Sequence, residues 1–412
     1  VRPTRTTPVA FTPLNMRSAA PDDVGGRLRV ATLNLANYFN TIDEPGNTCG
    51  PQADGCRGAD SVAERTRQLA KITQALWQID ADIVGLVELE NDGTDAAIAS
   101  IAAGLAGYAH IATGFIGTDA IKVGIIYRTS TVAPLGSFAI LDSSVDANFF
   151  DSKNRPALVQ TFEELSGGER LTIAVNHFKS KGSPCDDVGD AGATDGQGNC
   201  NGTRTLAAGA LANFLASDPT GSGDPDFLIL GDLNAYAMED PIKVLEAAGY
   251  DNLLGRIPGA DAYTFLFDGQ LGYLDYALAT SSLTAQVTGT AVWHINADEA
   301  SLFDYNDAVQ DPSEASFSVK PSVNALYSAD PYRASDHDPI IVGLDLASPE
   351  VQRCDVDSNG QVDISDVRAI SALRNQPAAG PDDPADADGD GIITVIDARL
   401  CVLQCTNAQC AP

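Results

Sequence analysis

The chain has 412 residues, of which 44% are hydrophobic, and its 56 acidic and 25 basic residues give a formal net charge of −31. This length and apolar content support a large core and allow two or three domains. The acidic charge excludes nucleic-acid binding through an extended basic face, and no apolar run reaches the roughly 18 residues that a membrane span needs. Because the sequence begins with Val1 and shows no signal peptide, we expect a processed or trimmed chain.

Apolar runs of strand length alternate with amphipathic stretches between residues 28 and 346. The runs that predict strands are 28–35, 82–89, 122–128, 157–164, 171–178, 226–235, 273–280, 285–295 and 339–346. The stretches that predict helices are 61–79, 95–105, 203–216 and 240–248. Many strands with a few interspersed helices predict an α+β fold, a sandwich with its helices outside.

Two changes in composition predict the domain limits. Residues 1–27 have no periodicity and predict a linker or the remainder of an upstream region. Composition changes again after Ser348 and Pro349, where an acidic segment with an internal repeat begins. We therefore predict a main domain at 28–348 and a second domain at 350–412.

Several predicted strands end in a polar residue that could bind a metal ion or a phosphate group. Any one of these residues could equally be a turn residue, a solvated strand end or a hydrogen-bonded rim histidine. Together they are the types that phosphoryl chemistry with a hard cation requires, because strand ends that meet at one edge of a sheet form a cleft. The residues are Asn34, Glu88, His177, Asp232, Asn234, Asp275, Asp336 and His337.

The order of these residues along the chain resembles a known family. Asn34, Glu88, Arg155 and His177, followed by GDLN (231–234), LDYAL (274–278) and SDHDP (335–339), resemble the endonuclease/exonuclease/phosphatase superfamily, the deoxyribonuclease-I-like fold. The resemblance covers about residues 28–346. Further stretches are similar to the large secreted bacterial nucleases within this superfamily: ANYFNTID (36–43), CRGADS (56–61), RTRQLAKI (65–72), NHFKSKGSPC (176–185) and DGQGNCNGTR (195–204).

The resemblance implies a four-layer αββα sandwich, two packed mixed sheets with outer helices, and a divalent metal ion at a cleft. Glu88 and Asp336 would bind Mg²⁺ or Mn²⁺, with Asn34 beside them, since hard cations prefer such oxygen ligands. Asp232 and Asn234 would position and activate the attacking water. A phosphodiester is anionic, so attack by water requires positive charge on its oxygens and a base for the water.

The resemblance also implies which residues contact the phosphate. His337 and His177 would contact the scissile phosphate and help to move protons, and Arg155 would clamp a non-bridging oxygen. A carboxylate partner on Asp275 would keep His337 in one tautomer and favour its cationic form. Asp338 is expected to be a turn residue rather than a ligand.

Local cations next to these motifs are candidate substrate contacts in an otherwise acidic chain. Lys179 and Arg204 are the two that we expect to bind substrate, whereas Lys181 could equally be an ordinary solvated lysine. His110 and His294 lie within strand patterns without acidic partners nearby in the sequence. We assign both histidines to structure.

The last segment contains two acidic loops of twelve residues, 355–366 and 386–397, which match the EF-hand spacing with glycine at position 6. Aspartate rather than glutamate at position 12, and a helix-like stretch after each loop, resemble dockerin-type calcium modules. A cohesin-like or cell-surface partner would follow from that resemblance, and a solvated acidic linker is the alternative. The expected Ca²⁺ ligands are Asp355, Asp357, Asn359, Asp363, Asp366, Asp386, Asp388, Asp390 and Asp397.

The eight cysteines lie mostly in polar loops and show no zinc-ligand spacing, which favours disulfides in a secreted protein. The resemblance to secreted nucleases includes the pairs Cys49–Cys56 and Cys185–Cys200, each bracketing a short loop beside the expected site. The other four cysteines, at 354, 401, 405 and 410, are expected to pair with one another in an order that the sequence leaves open.

The expected function is that of a secreted, monomeric, metal-dependent nuclease that hydrolyses extracellular DNA, with RNA as a further candidate substrate. One alternative is a secreted phosphoesterase of the same fold for lipid or small phosphodiesters, similar to a sphingomyelinase. Another is a noncatalytic surface-attachment protein that uses the calcium module. The complete set of polar residues at strand ends favours an enzyme.

Overall fold

A computed structural model describes residues 17–190, 196–307, 326–347, 353–357, 361–380, 383–405 and 410. The chain divides into two compact units, residues 1–346 and residues 347–412. The first unit contains two six-stranded sheets and the helices that cover them.

The first sheet has the strand order β13-β14-β1-β2-β4-β3. Its central strand β1 runs antiparallel to β14, with Leu28 opposite Leu344, and parallel to β2, with Val30 opposite Ile83. The sheet is therefore mixed. Its strands are β1 (Leu28–Tyr38), β2 (Ile83–Glu90), β3 (Tyr108–His110), β4 (Ile121–Arg128), β13 (Val287–Val292) and β14 (Ile340–Leu344).

The second sheet has the strand order β5-β6-β7-β8-β12-β9 and is also mixed, since β7 and β8 are parallel and the other neighbours are antiparallel. A separate two-stranded hairpin lies between β9 and β12 in the sequence and consists of β10 (Phe265–Phe267) and β11 (Gln270–Gly272). The strands of the sheet are β5 (Val132–Leu141), β6 (Arg155–Glu164), β7 (Arg170–His177), β8 (Phe227–Asp232), β9 (Tyr250–Asn252) and β12 (Asp275–Thr280).

Three cores join these elements into four layers. One core lies between the two sheets, a second joins α1 (Val62–Ile79) and α2 (Ala96–Ala103) to the first sheet, and a third joins α3 (Asn201–Ala216) and α4 (Asp240–Ala247) to the second sheet. A further one-turn helix, α5, spans Ser281–Thr284. The mixed α+β class and the two packed sheets with outer helices agree with the fold expected from the sequence.

Successive side chains of β1 point to opposite faces of the sheet, so this strand contributes to two cores. Val30 packs between the sheets, whereas Ala31 and Leu33 pack toward the helices, because successive side chains of a strand point to opposite faces. Both faces are covered, so the strand has a nearly continuous apolar sequence. In β2, Gly85 allows the sheets to approach, since a Cβ atom there would lie 2.9 Å from a methyl carbon of Val175.

All the strands and helices predicted from periodicity are present, with ends that shift by up to three residues. Strand β5 was not predicted, because Pro134 and Gly136 interrupt its sequence, and both residue types are disfavoured in strands. It is an edge strand whose register shifts between Leu135 and Ala139. Among the described residues, no helix has the length and apolar content to cross a membrane.

In the part of the second unit that the structure describes, there are two helices. Its helices are α6 (Ile364–Ala372) and α7 (Val395–Leu403), and two short strands, β15 (Gln376–Pro377) and β16 (Ile392–Ile393), pair between them. Each helix starts with a capping box, which satisfies two backbone N–H groups of its first turn. Its disulfides, Cys354–Cys401 and Cys405–Cys410, supply the pairing that the sequence left open.

Candidate active site

Hydrogen bonds from buried polar groups fix the turn that carries Asp336 and His337. Asp338 accepts hydrogen bonds from the three successive backbone N–H groups of residues 295–297, and it lies 2.9 Å from Nδ1 of His294. Asn296 donates to the backbone carbonyl of His337 at 2.7 Å. Asp338 thus anchors the turn and is not a cleft ligand. The acidic partner of His294 is 44 residues away in the sequence, so the residues near His294 could not reveal it.

His337 and Asp275 form a buried pair in which Nδ1 of the imidazole lies 2.7 Å from Oδ2 of the carboxylate. Thr264 donates its hydroxyl to the same carboxylate oxygen at 2.7 Å, and the ring of Phe265 stacks on the imidazole with 4.6 Å between centroids. Burial by itself lowers the pKa of His337, but the charge and hydrogen bond of Asp275, together with Asp336, outweigh it and raise the pKa well above its usual range. This imidazole is therefore held in its cationic form.

The end of β8 places Asp232 at the centre of the site. Gly231 has a φ of +112°, and a Cβ atom there would lie 2.1 Å from the carbonyl oxygen of Asn176, so only glycine fits this position. Asn234, with a φ of +49°, donates its backbone N–H to Asp232 at 2.8 Å and its side-chain amide to Phe178 at 3.0 Å. Burial is the main reason that the pKa of Asp232 rises to about 7.

Glu88 reaches the same site through a bulge in β2. Its register with β4 shifts between Leu86 and Leu89, and Glu88 has a φ of +64°, which is rare for a residue with a side chain. Its side chain is 20% exposed, and one carboxylate oxygen lies 3.9 Å from Nε2 of His177. Burial and then the charge of Asp336 raise the pKa of Glu88. Backbone strain at this point aims the carboxylate into the site.

His177 and Arg155 lie opposite each other at the ends of neighbouring strands. Nε2 of His177 is 3.3 Å from a guanidinium nitrogen of Arg155 and 3.8 Å from Oδ2 of Asp232. Burial and the charge of Arg155 lower the pKa of His177 well below its usual range, so this imidazole is neutral. Its buried Nδ1 has no hydrogen-bond partner within the described part of the chain. The two histidines of the site therefore have opposite charge states.

These side chains surround one cleft of about 650 Å³. Glu88, Arg155, His177, Asp232, Asn234, Asp336 and His337 line it, and all seven were candidates from the sequence. The other two candidates lie behind the lining: Asn34 donates its amide to Asp232 at 3.5 Å, and Asp275 holds His337.

Further side chains on the cleft wall were not predicted, among them Arg57, Tyr236, Glu239, Phe265 and Phe267. The strand-end pattern could not reveal them, because most lie in loops and hairpins. A weak signal for Arg57 was its position next to a loop cysteine within CRGADS.

The two cations expected to bind substrate lie behind the cleft wall. The guanidinium of Arg204 is fully buried and donates to the backbone carbonyls of Lys179 and Asn199, so its role is structural and the substrate-binding expectation was wrong. The ammonium of Lys179 bonds to Ser180 and Ser183. Lys181 is the lysine that lines the cleft, and Glu239 binds its ammonium with both oxygens.

The donor set at the end of the cleft fits a divalent metal ion. Glu88 and Asp336 both line the cleft, and the charge of Asp336 contributes to the raised pKa of Glu88. The nearby cations are paired elsewhere, His337 with Asp275 and Arg155 with Asp119. Two carboxylates that have no matched Lys or Arg among the described residues, with an amide beside them, are a ligand set that Mg²⁺ and Mn²⁺ accept.

In the second unit, the structure brings together part of the expected calcium ligands. The carboxylates of Asp355, Asp357 and Asp366 lie within 4.8 Å of one another, and so do those of Asp386, Asp388 and Asp397. Asp363 instead caps α6 by accepting from the backbone N–H of Ser365, and Asp390 accepts from the backbone N–H of Ile392. Asn359 lies outside the described residues.

The sequence matches the profile of the Endonuclease/Exonuclease/phosphatase family over residues 31–337, and the chain belongs to this family. Members of the family are hydrolases that act on phosphodiesters or phosphate esters and typically depend on divalent metal ions. No curated protein matches the sequence.

Solved structures with a similar fold include three that cover most of this chain's length. A family member from Bacteroides thetaiotaomicron has a TM-score of 0.47 and 16% identity, covering 76% of this chain and 93% of its own. A mannosyl-6-phosphatase from the same species has a TM-score of 0.47 and 16% identity, with coverages of 77% and 99%. The human Nocturnin catalytic domain has a TM-score of 0.46 and 14% identity, with coverages of 81% and 97%.

Proposed function

We propose that this protein is a secreted, metal-dependent nuclease that hydrolyses phosphodiester bonds of extracellular DNA, with RNA as a second candidate substrate. The observation that carries the proposal is the convergence of Glu88, Asp232 and Asp336 with two histidines of opposite charge and Arg155 on a single cleft. Hydrolysis of a phosphodiester requires a base, a proton donor and positive charge at the phosphoryl oxygens, and this cleft contains all three kinds of group.

Each group has a position that suits one part of the reaction. Asp232, whose pKa is raised to about 7, is suited to take a proton from the attacking water, and Asn234 is suited to orient that water. Cationic His337 is suited to stabilise the phosphoryl oxygens and to protonate the leaving oxygen. The guanidinium of Arg155 is suited to donate hydrogen bonds to a non-bridging oxygen, and neutral His177 lies beside it, with Nε2 3.3 Å from a guanidinium nitrogen.

Glu88 and Asp336, with Asn34 behind them, are the residues that would hold Mg²⁺ or Mn²⁺. When bound, the ion supplies positive charge to the phosphoryl oxygens and orients the substrate. The carboxylates of Glu88 and Asp336 would then be neutralised at the point where the anionic substrate enters. This accounts for substrate binding in a chain whose overall charge is −31.

The cysteines support secretion. All eight form four disulfides, at Cys49–Cys56, Cys185–Cys200, Cys354–Cys401 and Cys405–Cys410. Disulfides persist in oxidising compartments such as the extracellular medium and are rare in a reducing cytosol. Four disulfides in one chain therefore favour a secreted protein. We propose separately that the protein is a monomer.

We propose further that the second unit binds two Ca²⁺ ions in a dockerin-like manner and serves attachment to a cohesin-like or cell-surface partner. Its two groups of three carboxylates come from the loops 355–366 and 386–397. So many acidic side chains in two short loops repel one another without a cation, which couples folding of the unit to ion binding. The groups lie at loop positions 1, 3 and 12, which supply Ca²⁺ ligands in EF-hands.

A second candidate function is hydrolysis of a lipid phosphodiester. The hairpin of β10 and β11 exposes apolar side chains next to the cleft, with Phe267 66% exposed and Leu266 and Leu271 exposed beside it. Phe265 and Phe267 both line the cleft. Apolar side chains at this place could insert into a lipid surface, and they could equally stack on bases.

One assay separates these functions. Plasmid DNA, RNA, sphingomyelin vesicles and bis(p-nitrophenyl) phosphate are each incubated with the full chain in Mg²⁺, Mn²⁺ or EDTA. A nuclease cleaves DNA in Mg²⁺ or Mn²⁺, and EDTA abolishes the reaction. Cleavage of sphingomyelin but not DNA establishes the second candidate, and hydrolysis of none of the substrates supports the noncatalytic attachment protein. Full activity in EDTA contradicts metal dependence.

A substitution in the β10–β11 hairpin also distinguishes a nuclease from a lipid phosphodiesterase. Phe267→Ser removes the most exposed aromatic side chain of the cleft rim. It should weaken DNA cleavage severalfold if bases stack on this ring, and vesicle hydrolysis more strongly if the ring inserts into lipid. Trp77→Ser, which removes an aromatic ring of the same exposure from α1, is the matched control and should leave both activities unchanged.

A further inference from the structure

Arg57 is a cleft residue outside the reaction scheme above. It follows Cys56 in the loop between β1 and α1, and its side chain is 42% exposed and lines the same cleft as Glu88 and Arg155. One of its terminal nitrogens donates to Oδ1 of Asp119 at 3.2 Å. The side chain is therefore accessible from the cleft and from solvent.

The loop that carries Arg57 is fixed on both sides of this residue. On one side, Cys56 forms a disulfide with Cys49, and the two cysteines pack with Phe39 and two residues at the start of β4, 120–121. On the other side, Gly58 has a φ of +84°, and a Cβ atom there would lie 2.3 Å from the backbone carbonyl oxygen of Asn37. Only glycine allows the backbone to lie this close to the cleft wall.

Asp119 joins Arg57 to the phosphate clamp of the proposed site. Its Oδ1 accepts from Arg57, while its Oδ2 accepts from Nε of Arg155 at 3.0 Å. Two guanidinium groups thus share a single carboxylate, so the cluster keeps one net positive charge. Lys181, the lysine on the cleft wall, is instead bound by Glu239 through both carboxylate oxygens. Arg57 and Arg155 are therefore two cations of the cleft wall that share one carboxylate partner, whereas Lys181 and Glu239 form a pair.

We propose that Arg57 forms a second phosphate-binding subsite, which takes the phosphate adjacent to the scissile one and so selects a chain of phosphodiesters over an isolated phosphate ester. This inference rests on the proposed function, because it assigns the scissile phosphate to the part of the cleft beside Arg155. A guanidinium presents several donors in a planar fork that matches phosphate oxygens. A rigid loop places this fork without an ordering cost when the substrate binds.

The test compares a substrate that has one phosphodiester with one that has several. Steady-state kinetics are measured in Mg²⁺ or Mn²⁺ on bis(p-nitrophenyl) phosphate and on a single-stranded oligothymidylate of about ten nucleotides. Arg57→Gln should lower kcat/KM for the oligonucleotide by at least about tenfold more than for the small diester, mainly through KM. Arg57→Lys keeps the charge and should recover part of that loss.

Binding gives a readout that does not depend on turnover. Fluorescence anisotropy of a labelled oligothymidylate is measured at several salt concentrations in EDTA. Loss of one phosphate contact should reduce the slope of log Kd against log salt by about 0.7 in Arg57→Gln. Arg256→Gln is the matched control, because Arg256 is similarly exposed and is paired with Asp251 away from the cleft. It should change neither the kinetics nor the salt slope.

Two outcomes overturn the inference. If Arg57→Gln loses activity equally on both substrates and keeps the wild-type salt slope, Arg57 only supports Arg155 through Asp119. If the wild-type protein hydrolyses neither substrate, the proposed function fails, and the anisotropy series still decides the subsite. In that case a reduced slope supports phosphate binding at Arg57, and an unchanged slope refutes it.

Discussion

Replacing Asp275 by asparagine tests the charge assignment of the proposed site most directly. Asparagine has nearly the same shape and can still accept the hydrogen bond from Thr264, but it has no charge to place beside Nδ1 of His337. The imidazole remains buried, and burial favours its neutral form. The expected result is that the pKa of His337 falls and the imidazolium is lost at neutral pH.

The size of the effect follows from the geometry of the pair. The two side chains are buried and 2.7 Å apart, and removing one partner of such a pair costs about 3–5 kcal/mol if the other stays charged. His337 avoids most of this cost by releasing its proton. A site that uses the imidazolium as its acid should then lose about 10²–10⁴-fold in kcat, with little change in KM.

Stability gives a second readout, with a defined sign. A histidine whose pKa is raised by folding stabilises the fold below its unfolded value of about 6.5, and this stabilisation is lost as the pH rises through the folded value. The difference in unfolding midpoint between wild type and Asp275→Asn, measured without metal ions, should therefore be largest below pH 6.5 and should shrink as the pH rises. Asp226→Asn, a buried carboxylate at the opposite end of β8, is the control.

The assay combines NMR titration with kinetics. The chain has only four histidines, so the imidazole signals of a ¹³C-labelled sample can be assigned one by one. His337 should titrate well above the usual histidine range in the wild type and at a clearly lower pH in Asp275→Asn. The reasoning is refuted if His337 in the variant still titrates as in the wild type, or if kcat on an oligonucleotide, whose leaving alkoxide needs an acid, stays within threefold.

Three further predictions concern other parts of the chain. Burial raises the pKa of Glu64 to about 7. The free energy of unfolding should therefore fall by about 2–3 kcal/mol as the pH rises from 4.5 to 7. Denaturant titrations should show that Glu64→Gln flattens this pH dependence. Replacing Cys185 and Cys200 together by serine should destabilise the fold by about 3 kcal/mol, and an unchanged thermal midpoint would contradict a structural disulfide. Calorimetry should show about two bound Ca²⁺ ions for the full chain and none after Asp366→Asn with Asp397→Asn, whereas an acidic linker would show no uptake in either protein.

The sequence alone determined the layered α+β class and seven of the polar residues that line the cleft. Strands that are buried on both faces need continuous apolar runs, so the places where polar residues interrupt those runs mark strand ends. Glu88, His177 and Asp232 could be found in this way because each closes a run that has no other reason to end in a charged or imidazole side chain. The order of such residues along the chain was specific enough to indicate the family.

The tertiary structure decided which charges meet. His294 and Asp338 are 44 residues apart, and only the packing of one turn against another makes them partners. Arg204 was expected to bind substrate, but it is buried and donates hydrogen bonds to backbone carbonyls. Arg57 lines the cleft because it lies in a loop that the Cys49–Cys56 disulfide fixes. Periodicity reports which face of an element is buried, but it carries no information on how loops fold back over a sheet. Pairing between distant side chains depends on that folding, because ion pairs and hydrogen bonds require contact within a few ångströms.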